Sequence, residues 1–389
     1  MPKIIVFLLL ISNIAWSQDV KKKVGLVKDA ETQEPIAFVN IFIEGSTDYN
    51  LTGGISNELG EFAIDSRNSE VTFSHIGYES LTVELNDEFN EISLTPKNYV
   101  LDEVVVSTVS AEDYLKDVIK SSNSKIDKNT LLKSYCREVV KVNDAYTKFS
   151  DALVNYYIKK GNGKAMVTLD QHRALKSDRI DEEDSNNIDN INSAFTLQDY
   201  VKDAYNFKGL KNLLKDKNYE FVRRIRQEAN GEEYEYIDIS PKKDVEELLL
   251  KGYVIIDPKT SSILEFKIYT SADHLKYSEL KNILIAKFKI NGLPLWSKFN
   301  VIDDKYILSY NKKTIGMYIK MGKKIDDDFE FSSDLFVYQF NENIEMPEEG
   351  YERRTIYESG TEFHENFWEN YNSFPLSEDE LNFINSVAK

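Results

Sequence analysis

The sequence predicts a mainly β protein in two bodies. Residues 22–107 read as a β-sandwich, and residues 110–389 as an α+β domain on one large curved antiparallel sheet, half-barrel-like, with packing helices. Three observations carry this. Short β-rich runs between Lys22 and Ser107 are separated by Gly, Asn, Asp and Pro at the spacing of an antiparallel sandwich. From Tyr219 to Phe340 apolar residues recur with period two. Between these regions, Ser110 and Phe195 open segments whose apolar residues fall on one side of a helix.

The elements follow in order. Val24 to Val27 forms a first strand that runs into the polar turn Asp29 to Glu34 and then Pro35. Ile36 to Ile43 is the next strand, with Val39, Ile41 and Ile43 alternating against Asn40 and Phe42. Asn57 to Phe62 is a tight turn in which Gly60 supplies the positive φ that a side chain resists. Gly77, between Ile76 and Tyr78, marks a bulge or strand-end turn, and Gly77→Val is expected to destabilise the sandwich alone. Leu81 to Leu85 alternates, Ile92 and Leu94 close the set, and Leu101 to Val106 is its last strand.

Ser110 with Asp113 caps a helix whose stripe is Tyr114, Leu115, Val118 and Ile119. Leu131 to Val142 and Ala145 to Ile158 are strand-like, followed by a turn at Gly161-Asn162-Gly163. Phe195 to Lys215 is a helix that buries Leu197, Val201, Tyr205 and Leu210. Strands are then expected at 219–227, 233–239, 252–256, 262–270, 282–290, 295–301, 306–313, 315–321 and 329–340. Turns fall at Asp257 to Thr260 and at Asn291-Gly292, the latter a hairpin signal. Ser377 and Glu380 make a capping box for a final helix, with Leu381, Ile384 and Val387 docking on the sheet.

The runs D-A-E-T-Q-E-P-I from Asp29, A-F-V-N-I-F-I-E-G from Ala37, S-N-E-L-G-E-F-A-I from Ser56, F-S-H-I-G-Y-E-S from Phe73 and L-D-E-V-V-V from Leu101 resemble the carboxypeptidase-regulatory-like domain. That resemblance implies a transthyretin-like sandwich of the kind common in Bacteroidetes-type envelope proteins, often ahead of TonB-dependent transporters. It brings no zinc ligand and no catalytic base. The loop Thr47 to Gly54 departs from the simpler Gly-Thr turn usual in the family. The segments Tyr135 to Tyr146, Gly252 to Lys267 and Phe363 to Asn372 resemble the uncharacterised region that follows the same module in such proteins. More loosely, they are similar to lipoprotein-carrier half-barrels.

Met1 to Ser17 has Lys3, the apolar run Ile4 to Ile11, and Ala15 and Ser17 before Gln18, the pattern of a secretory signal peptide. Its apolar core is shorter than a membrane span, and no later run reaches that length. The expected address is therefore exported: periplasm or outer-membrane associated. A single cysteine, Cys136, leaves no intrachain disulfide and reads as a buried small hydrophobe. With 48 basic and 66 acidic residues the net charge of −18 disfavours nucleic acid and anionic lipid surfaces as partners.

Reactive constellations are sparse. His75, His172, His274 and His364 are far apart, and His364-Glu365 lacks the second histidine of a zinc-protease helix. There is no G-x-S-x-G, phosphate loop or dinucleotide fingerprint. Arg137-Glu138 reads as a surface pair, with a buried ion pair as the alternative. Glu233 and Asp238 fall on opposite faces of a strand and cannot flank one bond. The acidic stretch Ser177 to Asn192 lacks a calcium loop's glycine and reads as a surface loop. Phe363, Phe367, Trp368 and Tyr371 read as helix anchors in preference to a ligand platform. No catalytic, cofactor-binding or metal residue is assigned. The expected function is a non-catalytic envelope protein that docks a partner protein, or holds a hydrophobic ligand in the sheet's hollow. The alternative is a hydrolase of peptides or glycans that uses carboxylates of the large sheet. The chain is too short after the sandwich for a transporter barrel.

Overall fold

The computed structural model describes residues 22–43, 53–65, 70–97, 99–161, 163–177, 194–228, 231–283, 286–302, 305–323, 325–364, 366–371 and 374–387. The segment read as a signal peptide, most of the loop Thr47 to Gly54, and all but Ser177 of the acidic stretch lie outside the described residues.

Among the described residues the N-terminal body has seven strands in two sheets. One orders β4 (Glu61–Asp65), β1 (Lys22–Asp29) and β7 (Asn90–Leu94). The other orders β3 (Gly53–Ile55), β2 (Asn40–Ile43), β5 (Glu70–Ser74) and β6 (Leu81–Glu84). Val27, Val39, Ile41, Phe62, Val71, Phe73 and Leu94 fill the space between them. The pairing is not purely antiparallel. β1 and β7 run parallel, Gly25 opposite Asn90 through Asp29 opposite Leu94. The chain visits the other sheet between them, which is the long crossover a parallel pair requires, and side-chain alternation carries no record of strand direction.

Two local expectations change. The strand expected from Ile36 begins only at Asn40, because Phe38 takes a left-handed φ of 56° and Ser56 Oγ replaces a strand partner, accepting from Val39 N at 2.9 Å. Gly77 has ordinary room: an added Cβ would meet only the His75 ring, at 3.6 and 3.8 Å. The conformationally demanding glycine is Gly60, with φ of +75° and space for a Cβ only 2.5 Å from Val27 O. Gly60→Val should therefore destabilise the protein by about 2–4 kcal/mol, and Gly77→Val by much less. Chemical unfolding of the two variants side by side checks the ranking.

The second body is a thirteen-stranded sheet. Its strands are β8 (Tyr99–Val104), β9 (Thr130–Val142), β10 (Ala145–Lys160), β11 (Lys164–Lys176), β12 (Tyr219–Glu228), β13 (Glu233–Pro241), β14 (Leu250–Asp257), β15 (Ser262–Thr270), β16 (Lys281–Ile283), β17 (Ala286–Gly292), β18 (Leu295–Ile302), β19 (Lys305–Met321) and β20 (Ile325–Asn341). They pair antiparallel in the order β11-β10-β9-β20-β19-β18-β15-β14-β13-β12-β8, with β17 joining β19 to β16. The strand expected to finish the sandwich is β8, and it pairs with β12 of the large sheet. The two strands expected over 306–321 are the single strand β19. Asn291-Gly292 is no hairpin: β17 and β18 lie end to end along β19, opposite 316–321 and 305–313 respectively.

Helix α1 (Ala111–Ser124) starts at Ser110, whose side chain accepts from Asp113 N as its spacing predicts. The helix expected over 195–215 is two, α2 (Leu197–Tyr205) and α3 (Lys208–Leu213), broken where Phe207 takes a φ of 50°. Short turns α4 (Ala272–Leu275) and α5 (Phe367–Asn370) precede the terminal helix α6 (Glu378–Val387). The capping box forms, Glu380 N donating to Ser377 Oγ and Ser377 N to Glu380 Oε2. Phe383 and Ile384 are buried, whereas Leu381, expected to dock, is 45% exposed.

Both faces of the sheet are covered. On one face, Leu115 and Ile119 of α1, which packs on β15 and β12, share a core with Leu132 and Cys136 of β9 and with Val201 and Leu210 of the following helices. On the opposite face Tyr135 packs against Phe374 before α6, and Tyr310 against Phe38 of the sandwich. Helices thus cover one face of the sheet, as the helix-or-ligand expectation for its inner face allows. Among the described residues, no helix is long and apolar enough to cross a membrane.

Candidate functional site

A buried polar cluster forms where β9, β20 and β19 lie side by side. Register places Asp334 opposite Arg137 on one neighbour and opposite Lys312 on the other. Arg137 Nη2 lies 3.4 Å from Asp334 Oδ2, and Nη1 lies 2.8 Å from Glu380 Oε2, the carboxylate that also caps α6. Lys312 pairs with Glu58 of the sandwich turn, and Tyr310 OH donates to Asp334. The Arg137 guanidinium also lies 4.6 Å from the Phe374 ring centroid. One charge chain therefore runs from the sandwich through the sheet to the terminal helix.

Burial opposes charge at each site, and the partners more than offset it. Asp334 is held below the usual carboxylate range by Lys312 and Arg137 despite its burial. Lys312 and Arg137 are held above their ordinary values, burial again opposing, by carboxylates including Asp334. A general acid or base needs a pKa drawn towards the working pH. These groups are drawn away from it, the direction expected of locked ion pairs. Beside them opens a crevice of about 440 Å³, lined by Glu58, Arg137, Lys267, Trp296 and Glu330 among others. Lys267 lies 4.2 Å over the Trp296 ring, a cation–π contact. Buried Arg137 Nε has no hydrogen-bond partner.

A second cleft of about 650 Å³ separates the sandwich from β15 and β18. Lys298 Nζ donates to Phe38 O at 2.9 Å and lies 3.7 Å from buried Glu265. Glu265 Oε1 also accepts from Tyr253 OH at 2.6 Å and Trp296 Nε1 at 2.9 Å. Burial, then Lys298 and Lys97, hold His75 well below its ordinary pKa, so it stays neutral and Nδ1 accepts from Gly77 N. The bond from Lys298 to Phe38 O ties the sandwich to the sheet, and Glu265 holds Lys298 from the sheet side.

Arg137 and Glu138 are neither at the surface nor paired with each other. Both are buried, on opposite faces of β9. Glu138 accepts from Tyr200 OH at 2.6 Å and Ile356 N at 2.8 Å, and burial pushes its pKa up to about 7. The histidines remain apart: His172 Nδ1 meets Asp170 O at 2.8 Å, and His274 Nδ1 meets Glu247 O at 2.8 Å. Among the described residues, no three metal-ligating side chains cluster. Glu233 pairs with Gln227, and Asp238 with Arg224. Trp368 and Tyr371 pack on Tyr135, with ring centroids 6.4 and 5.8 Å away, so the aromatic cluster is an anchor. Cys136 is buried, 3.7 Å from Tyr156 OH, and burial pushes its thiol pKa up. Sequence reasoning missed Asp334, Lys312 and Glu58 altogether; only the register of β9, β19 and β20 brings them together.

The site thus defines a β protein whose ionisable groups fasten two bodies together. Residues 24–106 match the family model of the CarboxypepD_reg-like domain, so the N-terminal body is a domain of that kind. No curated protein matches the chain. Among solved structures, one titled for lipid–protein interactions in lipovitellin aligns with 62% of this chain and 28% of its own, at 8% identity and a TM-score of 0.25.

Proposed function

We propose that this is a non-catalytic exported protein of the cell envelope, periplasmic or outer-membrane associated, that docks a partner protein. The observation that supports it best is the state of the buried carboxylates. Asp334 and Glu380 are committed to Arg137, with Lys312 beside Asp334. The adjoining crevice offers a partner an aromatic wall at Trp296 and the cation Lys267, the residue types that anchor interfaces.

The competing reading is a hydrolase of peptides or glycans. Peptide and glycan panels incubated with the purified protein should show no turnover. Turnover that disappears in Asp334→Asn or Glu380→Gln, while the variant still unfolds cooperatively, would replace docking with hydrolysis. In the docking reading, a photo-crosslinking side chain at Trp296 captures one envelope protein, and Lys267→Glu abolishes that capture. Capture unaffected by Lys267→Glu would remove the crevice from the reading.

A further inference from the structure

On the helix face, where α2 and α3 meet β14, β15 and the start of β18, lies a groove of about 430 Å³. Its walls are apolar: Phe195, Leu213, Leu250, Ile268, Leu293 and Leu295. Phe195, Leu250, Leu293 and Leu295 are only partly buried, so they retain apolar surface for a ligand to cover. Gly209 lets α3 approach the sheet, since a Cβ there would lie 2.7 Å from Leu295 Cδ2 and 3.0 Å from Ile268 Cδ1. Small-molecule sites have this size and character, a mostly apolar hollow with a few placed polar groups.

The polar groups are at the rim. Asp203 Oδ2 accepts from Lys313 Nζ at 2.8 Å and from Lys208 Nζ at 3.2 Å. The other rim carboxylate, Asp199, is taken by Lys202 at 2.9 Å. Counted with Lys202, the rim holds three ammonium groups (Lys202, Lys208 and Lys313) to two carboxylates (Asp199 and Asp203), a surplus of one positive charge beside an apolar trough. Lys313 is 9% exposed, so water screens its charge poorly. The groove meets the docking crevice at Pro294, Leu295 and Thr314, but none of its rim charges belongs to the crevice.

We propose that this groove binds a single-chain fatty acid, its alkyl chain against Phe195, Leu250 and Leu295 and its carboxylate between Lys208 and Lys313. One surplus cation matches one carboxylate, and one trough of this volume matches one chain. The net charge of −18 repels anionic bilayers, which favours a monomeric ligand over a membrane surface. The proposal is separate from docking and fails or survives without it.

Titration calorimetry of the full chain with laurate, dodecanol and dodecyltrimethylammonium, each below its aggregation threshold, tests it. Laurate should bind one to one, dodecanol more weakly and the ammonium weakest. Lys208→Glu, at an exposed position, should weaken laurate by about tenfold and leave dodecanol unchanged. Asn212→Trp, which brings bulk into the groove from the exposed side of α3, should remove both. Absent laurate binding, laurate and the ammonium binding alike to the unaltered chain, or laurate binding insensitive to Lys208→Glu would overturn the proposal. The comparison of head groups needs no variant, so it decides even where a substitution disturbs folding.

Discussion

Arg137→Ala should destabilise the protein more than the glycine substitutions do, by about 3–5 kcal/mol. The guanidinium is 6% exposed and serves Asp334 and Glu380 at once. Removing it leaves two carboxylates out of water with Lys312 as the nearest remaining cation, 3.9 Å from Asp334 Oδ1. That is the costly way to disrupt a buried ion cluster, because the penalty of desolvating the survivors stays in place. Glu380 also caps α6, so the variant should lose the C-terminal helix to protease before the sheet unfolds. Urea unfolding with limited proteolysis checks both. Wild-type stability to within about 1 kcal/mol, the range of exposed pairs, would show that the cluster is solvated and not structural.

Glu138 gives the second large effect, and its sign is set by the direction in which burial moves its pKa. Burial raises the folded-state value to about 7, above the ordinary 4.5. Between those values the unfolded chain has released the proton and the folded chain retains it, so each step up in pH favours unfolding. The contribution of this residue is therefore most favourable below about pH 4.5, falls as pH approaches 7, and is flat above. The span is about 3 kcal/mol, because each tenfold change in proton affinity is worth roughly 1.4 kcal/mol. The hydrogen bonds from Tyr200, Ser150 and the 356–357 backbone oppose the rise without cancelling it. Glu138→Gln should remove the slope. The wild-type-minus-variant difference in unfolding free energy, measured from pH 5 to 7.5, isolates it from the other titrating groups. A difference that does not change with pH would place the carboxylate in contact with water.

What the sequence revealed and concealed follows from how each signal is encoded. Caps are local, so Ser110 with Asp113 and Ser377 with Glu380 were both readable and both form. Strands of the large sheet were readable wherever one face is more apolar than the other. β9 is buried along nearly its whole length, and in that setting Arg137-Glu138 has the same letters as a surface pair. Only neighbouring strands, distant in sequence, reveal that each charge is inside. Phe38 and Phe207 adopt left-handed backbone that no propensity favours, so the strand start at Asn40 and the break between α2 and α3 were both hidden. The dipeptide Asn291-Gly292 is a sound turn signal, defeated because β18 shares the long β19 with β17 and needs no reversal. The groove at α3 was invisible for the same reason as the ion cluster: its walls come from four separate stretches of chain.

Phe38 carries one last consequence. Its ring stacks on Tyr310 with centroids 4.4 Å apart and meets Trp296 edge-on at 4.7 Å, both in the second body, while its carbonyl holds Lys298. A module fastened this way is no bead on a string. Its neighbours carry the junction onward: Glu58, Lys312, Asp334, Arg137 and Glu380 set alternating charges in one line from the N-terminal body to the C-terminal helix.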